Sequence, residues 1–283
     1  MQKTLSKEVI QPVNVKQVFY AKNPGLARMI PNFIFNYLKR IVHEDDINEF
    51  LAEHGQRRNL DFIEAAIKDF NVSITVEGRE NIPETGRYVF AANHPLGGFD
   101  GLVLMKIISG YFADFRFLVN DILMNLKNIR DLFIPINKHG RLAYEAAEQI
   151  EKAFESDIQI LTFPSGYVSR RIKGQIMDLP WQKSFISKAV KYQRDVIPVH
   201  FSGHCSNFFY RLANLRKFLG IKANIEMLYL VNETYKHRNE KLTVKFGKPV
   251  SWRVFDSGRK PAEWAKWVKE QVYALDGVTY VPL

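Results

Sequence analysis

The sequence has very little cysteine and no long apolar run. Its 283 residues include one cysteine, Cys205, so no disulfide can form within the chain, and a reducing, cytoplasmic compartment is expected. No stretch of about 18 apolar residues is available to cross a bilayer. Residues 1–15 alternate polar and apolar side chains, which does not resemble a secretion signal. Any contact with a membrane is therefore predicted to be peripheral.

The motifs of several enzyme classes are missing as well. The sequence has no Gly-x-Ser-x-Gly elbow of serine lipases, no Walker A motif and no dinucleotide-binding fingerprint. His200, His204 and Cys205 lie close together in the sequence, but a zinc site needs further donors at suitable spacing. We predict that the protein holds no metal and that Cys205 is a small buried apolar residue rather than a nucleophile.

The composition is that of a folded, basic protein. Hydrophobic residues make up 46% of the chain, which is enough to bury a core, and the formal net charge is +10. A positive balance attracts nucleic acid, anionic lipid headgroups or acidic proteins. The basic residues form short groups along the chain and no long tract of the kind found in nucleic-acid-binding tails. Charge alone leaves these partners open, and the simplest interpretation is a solvated basic surface.

Residues 25–70 show the periodicity of helices. The apolar positions that recur three and four residues apart are Ile30, Phe33, Ile34, Tyr37, Leu38 and Ile41. Phe35 falls outside this stripe, so it is predicted to be exposed. An exposed ring flanked by Arg28, Lys39 and Arg40 would suit a helix lying in a membrane interface. The alternative is a helix packed on its own domain.

From about residue 72, short apolar runs alternate with helical segments. The runs that predict strands occupy residues 72–76, 88–92, 115–119, 132–136, 158–163, 196–201, 225–230 and 242–246. The segments that predict helices are 101–109, 142–154, 181–192, 207–219 and a closing helix at 261–275. This alternation predicts an α/β fold with a mostly parallel or mixed sheet flanked by helices. We divide the chain into an N-terminal helical segment, 1–71, which could face a membrane, and an α/β domain, 72–283.

A histidine and an aspartate follow the apolar run at 88–92. The segment 91–101 reads AANHPLGGFDG and precedes a helical run, so it occupies the carboxyl end of a strand, where catalytic groups collect in α/β sheets. Gly97 and Gly98 allow a tight turn that could return Asp100 toward His94. The carboxylate would hold one imidazole nitrogen as a donor and leave the other free to accept a proton. Alternatively, Asp100 caps the helix and His94 satisfies a backbone group.

A second segment of the same kind, 160–171, reads ILTFPSGYVSRR and again runs from an apolar strand into a turn. Backbone amides and guanidinium groups at such a turn can bind a phosphate or a carboxylate. The alternative is a solvent-exposed basic turn.

Three segments in order, NHPLGGFDG, FPSGYVSR and the later IPVHFSG, resemble the motifs of the lysophospholipid (glycerolipid) acyltransferase family. The resemblance covers roughly residues 72–250, and the order of three motifs is more specific than any one of them. The chain most resembles a bacterial hemolysin-like branch that includes O-acyltransferases completing glycine or ornithine aminolipids.

The resemblance implies transfer of a fatty acyl group from an acyl carrier protein or coenzyme A thioester to the hydroxyl of a monoacylated lipid, such as lysophosphatidic acid or a monoacyl aminolipid. It implies that His94 is the general base and Asp100 its orienting partner, with no acyl-enzyme and no cofactor beyond the acyl donor. It also implies a peripheral position on the cytoplasmic face of the membrane. The residues that it implies for substrate binding are Lys138, Arg141, Pro164, Ser165, Gly166, Ser169, Arg170 and Arg171.

Two departures from the family pattern concern the site. Five residues separate His94 from Asp100 where the family has four, so analogy does not ensure their contact. The third motif usually has Glu after Phe-Pro, whereas Ser165 stands here, which leaves the turn without a carboxylate. These departures motivate an alternative, a non-catalytic lipid-binding protein that retains the fold. Nucleic-acid binding is motivated only by charge, and we expect a membrane surface as the partner instead.

Overall fold

The computed structural model describes residues 12–136 and 141–277; most of the segment considered above as a secretion signal therefore lies outside the described residues. The helices are α1 (Val15–Lys22), α2 (Pro24–Met29), α3 (Asn32–Ile41), α4 (Glu44–His54), α5 (Asn59–Phe70), α6 (Gly98–Ile108), α7 (Arg141–Glu155), α8 (Ser184–Lys191), α9 (Asn207–Phe218), α10 (Leu230–Tyr235) and α11 (Pro261–Ala274). The strands are β1 (Ser73–Glu77), β2 (Tyr88–Ala92), β3 (Phe115–Val119), β4 (Phe133–Pro135), β5 (Gln159–Thr162), β6 (Arg170–Ile172), β7 (Gln175–Met177), β8 (Asp195–Phe201) and β9 (Lys241–Phe246).

Within the described residues, seven strands form one sheet in the order β1-β9-β8-β2-β5-β3-β4. Strands β8, β2, β5, β3 and β4 are parallel to one another, whereas β9 is antiparallel to β8 and parallel to β1. The centre of the sheet is β2, where Phe90 lies opposite Leu161 of β5 and Ile197 of β8. The prediction of a mostly parallel, mixed α/β sheet is confirmed.

Helices cover both faces of the sheet. Successive side chains of each strand point to opposite faces, so neighbouring residues of one strand pack into different clusters. Along β2, Phe90 and Ala92 pack into one apolar cluster with side chains of α5 and α6, while Val89 and Ala91 pack into a second cluster with α7, α8 and α11. All four of these side chains are fully buried. This explains why the strands appear in the sequence as continuous apolar runs.

The N-terminal helices join this core through α5. The Phe70 ring packs on Phe99 of α6 with ring centroids 5.0 Å apart, and Ile63 lies in the same cluster. The division at residue 71 stays a prediction. Of the helices that the structure describes, none combines the length and the apolar content that crossing a bilayer requires.

The predicted orientation of α3 was wrong at Phe35. Its ring is 5% exposed and packs on Phe19 and Tyr20 of α1, with centroids 5.8 and 6.4 Å apart, whereas Phe33 is 71% exposed. The buried positions of the helix are Phe35, Leu38 and Ile41. In a short apolar helix, the spacing of apolar residues is compatible with more than one buried face. The face that contains Phe35 is the buried one because the rings of α1 pack against it.

The predicted strand at 225–230 was also wrong. Residues Ile225–Tyr229 form a 3-10 helix that continues into α10. Glu226 in this turn is buried and forms ion pairs with Arg170 at 3.2 Å and Arg216 at 2.8 Å. A short apolar run does not distinguish strand from helix by its periodicity. Here the ion pairs of one carboxylate connect the turn to β6 through Arg170 and to α9 through Arg216.

Candidate active site

His94 stands two residues beyond the end of β2, at the carboxyl edge of the parallel strands. Asn93, which precedes it, is buried and pairs with the backbone of Phe201 at the end of β8. The Asn93 amide donates to the Phe201 carbonyl at 3.0 Å, and its oxygen accepts from the Phe201 amide at 2.6 Å. Asn93 therefore fixes the start of the loop 93–100 to the neighbouring strand. We call residues 93–100 the catalytic loop because they carry the predicted catalytic pair.

The five-residue spacing still brings the two predicted residues together. The Nδ1 atom of His94 lies 2.8 Å from Oδ2 of Asp100, and the Leu96 amide donates to the same oxygen at 3.0 Å. Gly97 has a positive φ of 82°, and a Cβ at this position would lie 2.7 Å from the Leu230 side chain. The predicted return of Asp100 toward His94 is confirmed, and the turn requires glycine at position 97.

Asp100 lies in the first turn of α6 and is completely buried. Burial raises the pKa of this carboxyl, while the hydrogen bond from His94, the Leu96 amide and the nearby His237 act in the opposite direction. The amino end of a helix also favours a negative charge. An ionised Asp100 accepts a hydrogen bond from Nδ1–H and so selects the tautomer of His94 in which Nε2 can accept a proton.

The imidazole of His94 is held between the loop and the second motif. The Phe163 ring stacks on it with centroids 4.0 Å apart and planes inclined by 11°. The His94 side chain is 17% exposed, and no hydrogen-bond partner of Nε2 occurs among residues 12–136 and 141–277. The ring is thus fixed on one side by Asp100 and Phe163, and its second nitrogen is available to a substrate.

A carboxylate that the sequence interpretation missed holds the backbone of His94. Asp178 follows β7 of the β6–β7 hairpin and is fully buried. Its Oδ1 accepts from the His94 amide at 3.2 Å and from the Ser169 hydroxyl at 2.6 Å, and its Oδ2 accepts from Nε1 of Trp181 at 2.9 Å. The Ser169 amide in turn donates to the His94 carbonyl at 2.8 Å. A lone acidic residue between Met177 and Leu179 was the only signal for it in the sequence.

Asp178 also connects the catalytic loop to the last helix. Its backbone amide donates to the Tyr273 hydroxyl at 2.7 Å, and its carbonyl accepts from Nζ of Lys269 at 2.5 Å. Lys269 is buried, and burial lowers its pKa while the charge of Asp178 acts to raise it. Lys269 therefore lies against the backbone of Asp178, and the nearby carboxylate favours the charged form of the lysine.

Asp178→Asn is expected to lower kcat by about tenfold with little change in KM, and to lower the free energy of unfolding by about 1–3 kcal/mol. In one orientation, the NH₂ group of the asparagine would face the Trp181 indole N–H. In the other, it would face the His94 amide and the Ser169 hydroxyl, so a donor meets a donor in both cases. Steady-state kinetics at a temperature where the variant is folded, with urea unfolding, measure both effects. The matched control is Asp157→Asn, because that carboxylate is 98% exposed. A rise in KM at unchanged kcat would show that Asp178 does not position His94.

The predicted turn after β5 lies beside the imidazole, and its polar groups bond mostly to one another. The Ser165 hydroxyl donates to the Tyr167 carbonyl at 2.6 Å, and the buried Pro164 accepts from the Gln182 amide at 2.9 Å. Gly166 is exposed with a positive φ of 66°, and Tyr167 is exposed as well. The exposed part of the turn is therefore Gly166 and Tyr167.

The two arginines of the second motif have different surroundings. Arg170 is buried, donates to the Val168 carbonyl at 2.7 Å and is paired with Glu226, while burial lowers its pKa. Arg171 is half-buried, donates to Oδ1 of Asn207 at 2.6 Å, and lies over the Tyr210 ring at 5.3 Å. Arg171 is the more accessible of the two to a ligand.

Two further predicted residues fall on or near undescribed segments. Lys138 lies outside the described residues. Arg141 is the first residue of α7, and only its backbone is described.

Cys205 is buried, as predicted, and its thiol donates to the Pro95 carbonyl of the catalytic loop at 3.3 Å. Burial raises the pKa of this thiol well above its ordinary value, which opposes formation of a thiolate. His200 is buried too, and burial lowers its pKa. Across the described ranges, no three His, Cys, Asp or Glu side chains are grouped so as to hold a metal ion.

The fold and the site define a class of protein, an α/β protein that presents a histidine, hydrogen-bonded to a buried aspartate, at the carboxyl edge of a parallel sheet. The chain belongs to the acyltransferase family, whose sequence model matches residues 17–279. The resemblance drawn from the three motifs is thereby confirmed.

Two curated relatives share most of the length of the chain. A lyso-glycine lipid O-acyltransferase from Bacteroides thetaiotaomicron is 46% identical over 264 residues, which cover 93% of this chain and 97% of the relative. A lyso-glycine lipid O-acyltransferase from Phocaeicola vulgatus is 43% identical, with coverages of 93% and 95%. Among solved structures, the 1-acyl-sn-glycerophosphate (LPA) acyltransferase PlsC from Thermotoga maritima matches with 20% identity and a TM-score of 0.46, over 88% of this chain and 95% of that chain.

Proposed function

We propose that the protein transfers a fatty acyl group from an acyl thioester to the hydroxyl of a monoacylated lipid, with His94 as the general base. The observation that carries this proposal is the 2.8 Å contact between Nδ1 of His94 and the buried Asp100, which leaves Nε2 as the proton acceptor. The two departures in the motifs motivated a non-catalytic alternative. Because His94 contacts Asp100 despite the extra residue, the first departure no longer favours that alternative.

The proposed reaction proceeds by direct attack. Nε2 of His94 takes the proton of the acceptor hydroxyl. At the same time, the hydroxyl oxygen bonds to the carbonyl carbon of the thioester, and the carbonyl oxygen becomes an oxyanion. Collapse of this intermediate breaks the carbon–sulfur bond, and the leaving thiolate receives the proton from the imidazolium. Asp100 stabilises the positive charge that the ring carries between the two steps. The raised pKa of the Cys205 thiol is consistent with a reaction without a covalent cysteine intermediate.

We infer that the acceptor is a lyso-glycine lipid, since two relatives with that named activity align over 93% of the chain. Lysophosphatidic acid is the second candidate. In this proposal, Arg171, with Lys138 and Arg141, binds the anionic group of the acceptor, and the turn at 164–171 positions its hydroxyl. The acyl donor is a thioester of acyl carrier protein or coenzyme A, no further cofactor takes part, and the enzyme acts peripherally on the cytoplasmic membrane face.

The test is mass-spectrometric detection of acyl transfer by the purified protein. Acyl carrier protein and coenzyme A thioesters are each supplied with a lyso-glycine lipid or with lysophosphatidic acid, both presented in nonionic detergent micelles. The expected result is a diacylated glycine lipid and a stoichiometric free thiol. Product from lysophosphatidic acid alone would contradict the proposed acceptor, and no product from any pair by folded protein would contradict the reaction.

A further inference from the structure

The outer face of α9 is apolar, although it faces solvent. Phe208 and Leu215 lie on one side of α9, and Leu219, the residue that follows the helix, continues the same side. All three side chains are exposed. Phe218, adjacent to them, is 86% exposed. Single exposed apolar residues are ordinary on protein surfaces, but a continuous helical stripe marks an interaction site.

The stripe continues onto the N-terminal helices. Tyr37 of α3 bonds through its hydroxyl to the Tyr229 hydroxyl at 2.6 Å, and the Tyr229 ring packs on Phe208 with centroids 4.9 Å apart. Phe33 lies one helical turn before Tyr37 and is exposed, as is Met29 in α2. We call the exposed apolar side chains within 29–37 and 208–219 the docking surface.

The charges carried by the segments of the docking surface are positive, although Lys39 pairs with Asp45 and Arg216 pairs with Glu226, which lie just outside these segments. Residues 24–41 and 207–225 contain seven lysines and arginines and no aspartate or glutamate. Within these segments, Arg28, Arg211, Lys217 and Lys222 are exposed, and no carboxylate of the described residues lies within ion-pair distance of them. Exposed cations around protruding phenylalanine and leucine side chains complement a surface that is anionic outside and apolar beneath.

The docking surface is directly connected to the catalytic loop. Cys205, two residues before α9, donates to the Pro95 carbonyl, and Asn207 at the start of α9 accepts from Arg171. A bilayer on this surface would therefore lie beside the loop that carries His94, so that a lipid acceptor has a short path to the base.

We propose that the docking surface binds a bilayer that contains anionic phospholipid, inserting Phe33, Leu215 and Phe218 into the interface. This inference rests on the proposed function, because a lipid acceptor must be reached from a membrane. An acidic carrier protein would also match the positive charge. The exposed apolar side chains favour a bilayer over a carrier protein. Insertion into the acyl boundary would remove these side chains from water, whereas charge pairing with a carrier would not.

The experiment is co-sedimentation of the full chain with vesicles of phosphatidylcholine alone or with phosphatidylglycerol added. For the double variant Leu215→Ser/Phe218→Ser, binding to the mixed vesicles is expected to weaken by about tenfold or more. Lys217→Gln/Lys222→Gln is expected to weaken binding only where phosphatidylglycerol is present, and to reduce its salt dependence. Val254→Ser is the matched control, because Val254 is exposed and lies outside the docking surface.

Wild-type binding by both double variants would overturn the proposal. So would variants that keep vesicle binding but lose affinity for acyl carrier protein, because the occupant would then be the carrier. The proposed function is tested separately by the acyl-transfer assay of the wild type in detergent micelles, because that assay does not require binding to a bilayer. Vesicle binding by an inactive wild type would contradict the reaction alone.

Discussion

His94→Ala is expected to lower kcat for acyl transfer by about 10²–10⁴-fold, the usual contribution of a positioned general base. The donor thioester and the acceptor should still bind, because the residues proposed to hold them are unchanged. Initial rates with the micellar acceptor, with product identified by mass spectrometry, measure the loss.

The fold of this variant should persist, since the His94 side chain is partly exposed and does not belong to any apolar cluster of the described core. The matched control is His204→Ala, which removes an exposed imidazole whose Nδ1 lies 2.8 Å from the Cys205 carbonyl. This control should keep wild-type kcat. Activity within a factor of a few of wild type in a folded His94→Ala protein would refute the general-base mechanism.

Asp100→Asn is expected to act in opposite directions on activity and on stability. Loss of the negative charge removes the partner of the imidazolium, so kcat should fall on the order of 10²–10⁴-fold. At neutral pH, however, the variant should be at least as stable as the wild type, because burial raises the pKa of Asp100 and the buried carboxylate therefore opposes folding.

The pH dependence follows from the sign of this shift. A carboxyl with a raised folded-state pKa binds its proton more tightly in the folded protein, so its contribution to stability is greatest below its ordinary pKa and is lost as pH rises through the folded value. The excess stability of Asp100→Asn should therefore shrink as pH falls below that value. Urea unfolding of both proteins across the acidic range measures the difference. A variant that is less stable than the wild type at neutral pH, with a difference independent of pH, would contradict the assignment.

The chemistry of the site was largely accessible from the sequence. The apolar run before Asn93 predicted β2, and the paired glycines predicted a turn that returns Asp100 to His94, because both features act over a few consecutive residues. The contact distance of 2.8 Å confirms this local argument despite the extra residue in the motif. The roles of the site residues in catalysis remain predictions.

The support of the site was not accessible in the same way. Asp178 accepts from the amide of a residue 84 positions earlier, and Asn93 pairs with Phe201, 108 positions later. No local pattern distinguishes these polar residues from others in apolar surroundings. Their partners are set by the order of β8, β2 and β5 in the sheet and by the hairpin that follows β5.

By itself, the sequence determined the α/β class, most strand positions and the catalytic loop, since alternation, apolar runs and glycine turns are local properties of the chain. Only the tertiary structure decided which face of α3 is buried, that residues 225–229 form a 3-10 helix, and which carboxylate holds His94. Phe35 is buried because the rings of α1 lie against it, and Glu226 is buried because two arginines neutralise it. These outcomes depend on neighbours distant in sequence, whose packing and ion pairing outweigh the small differences in local propensity.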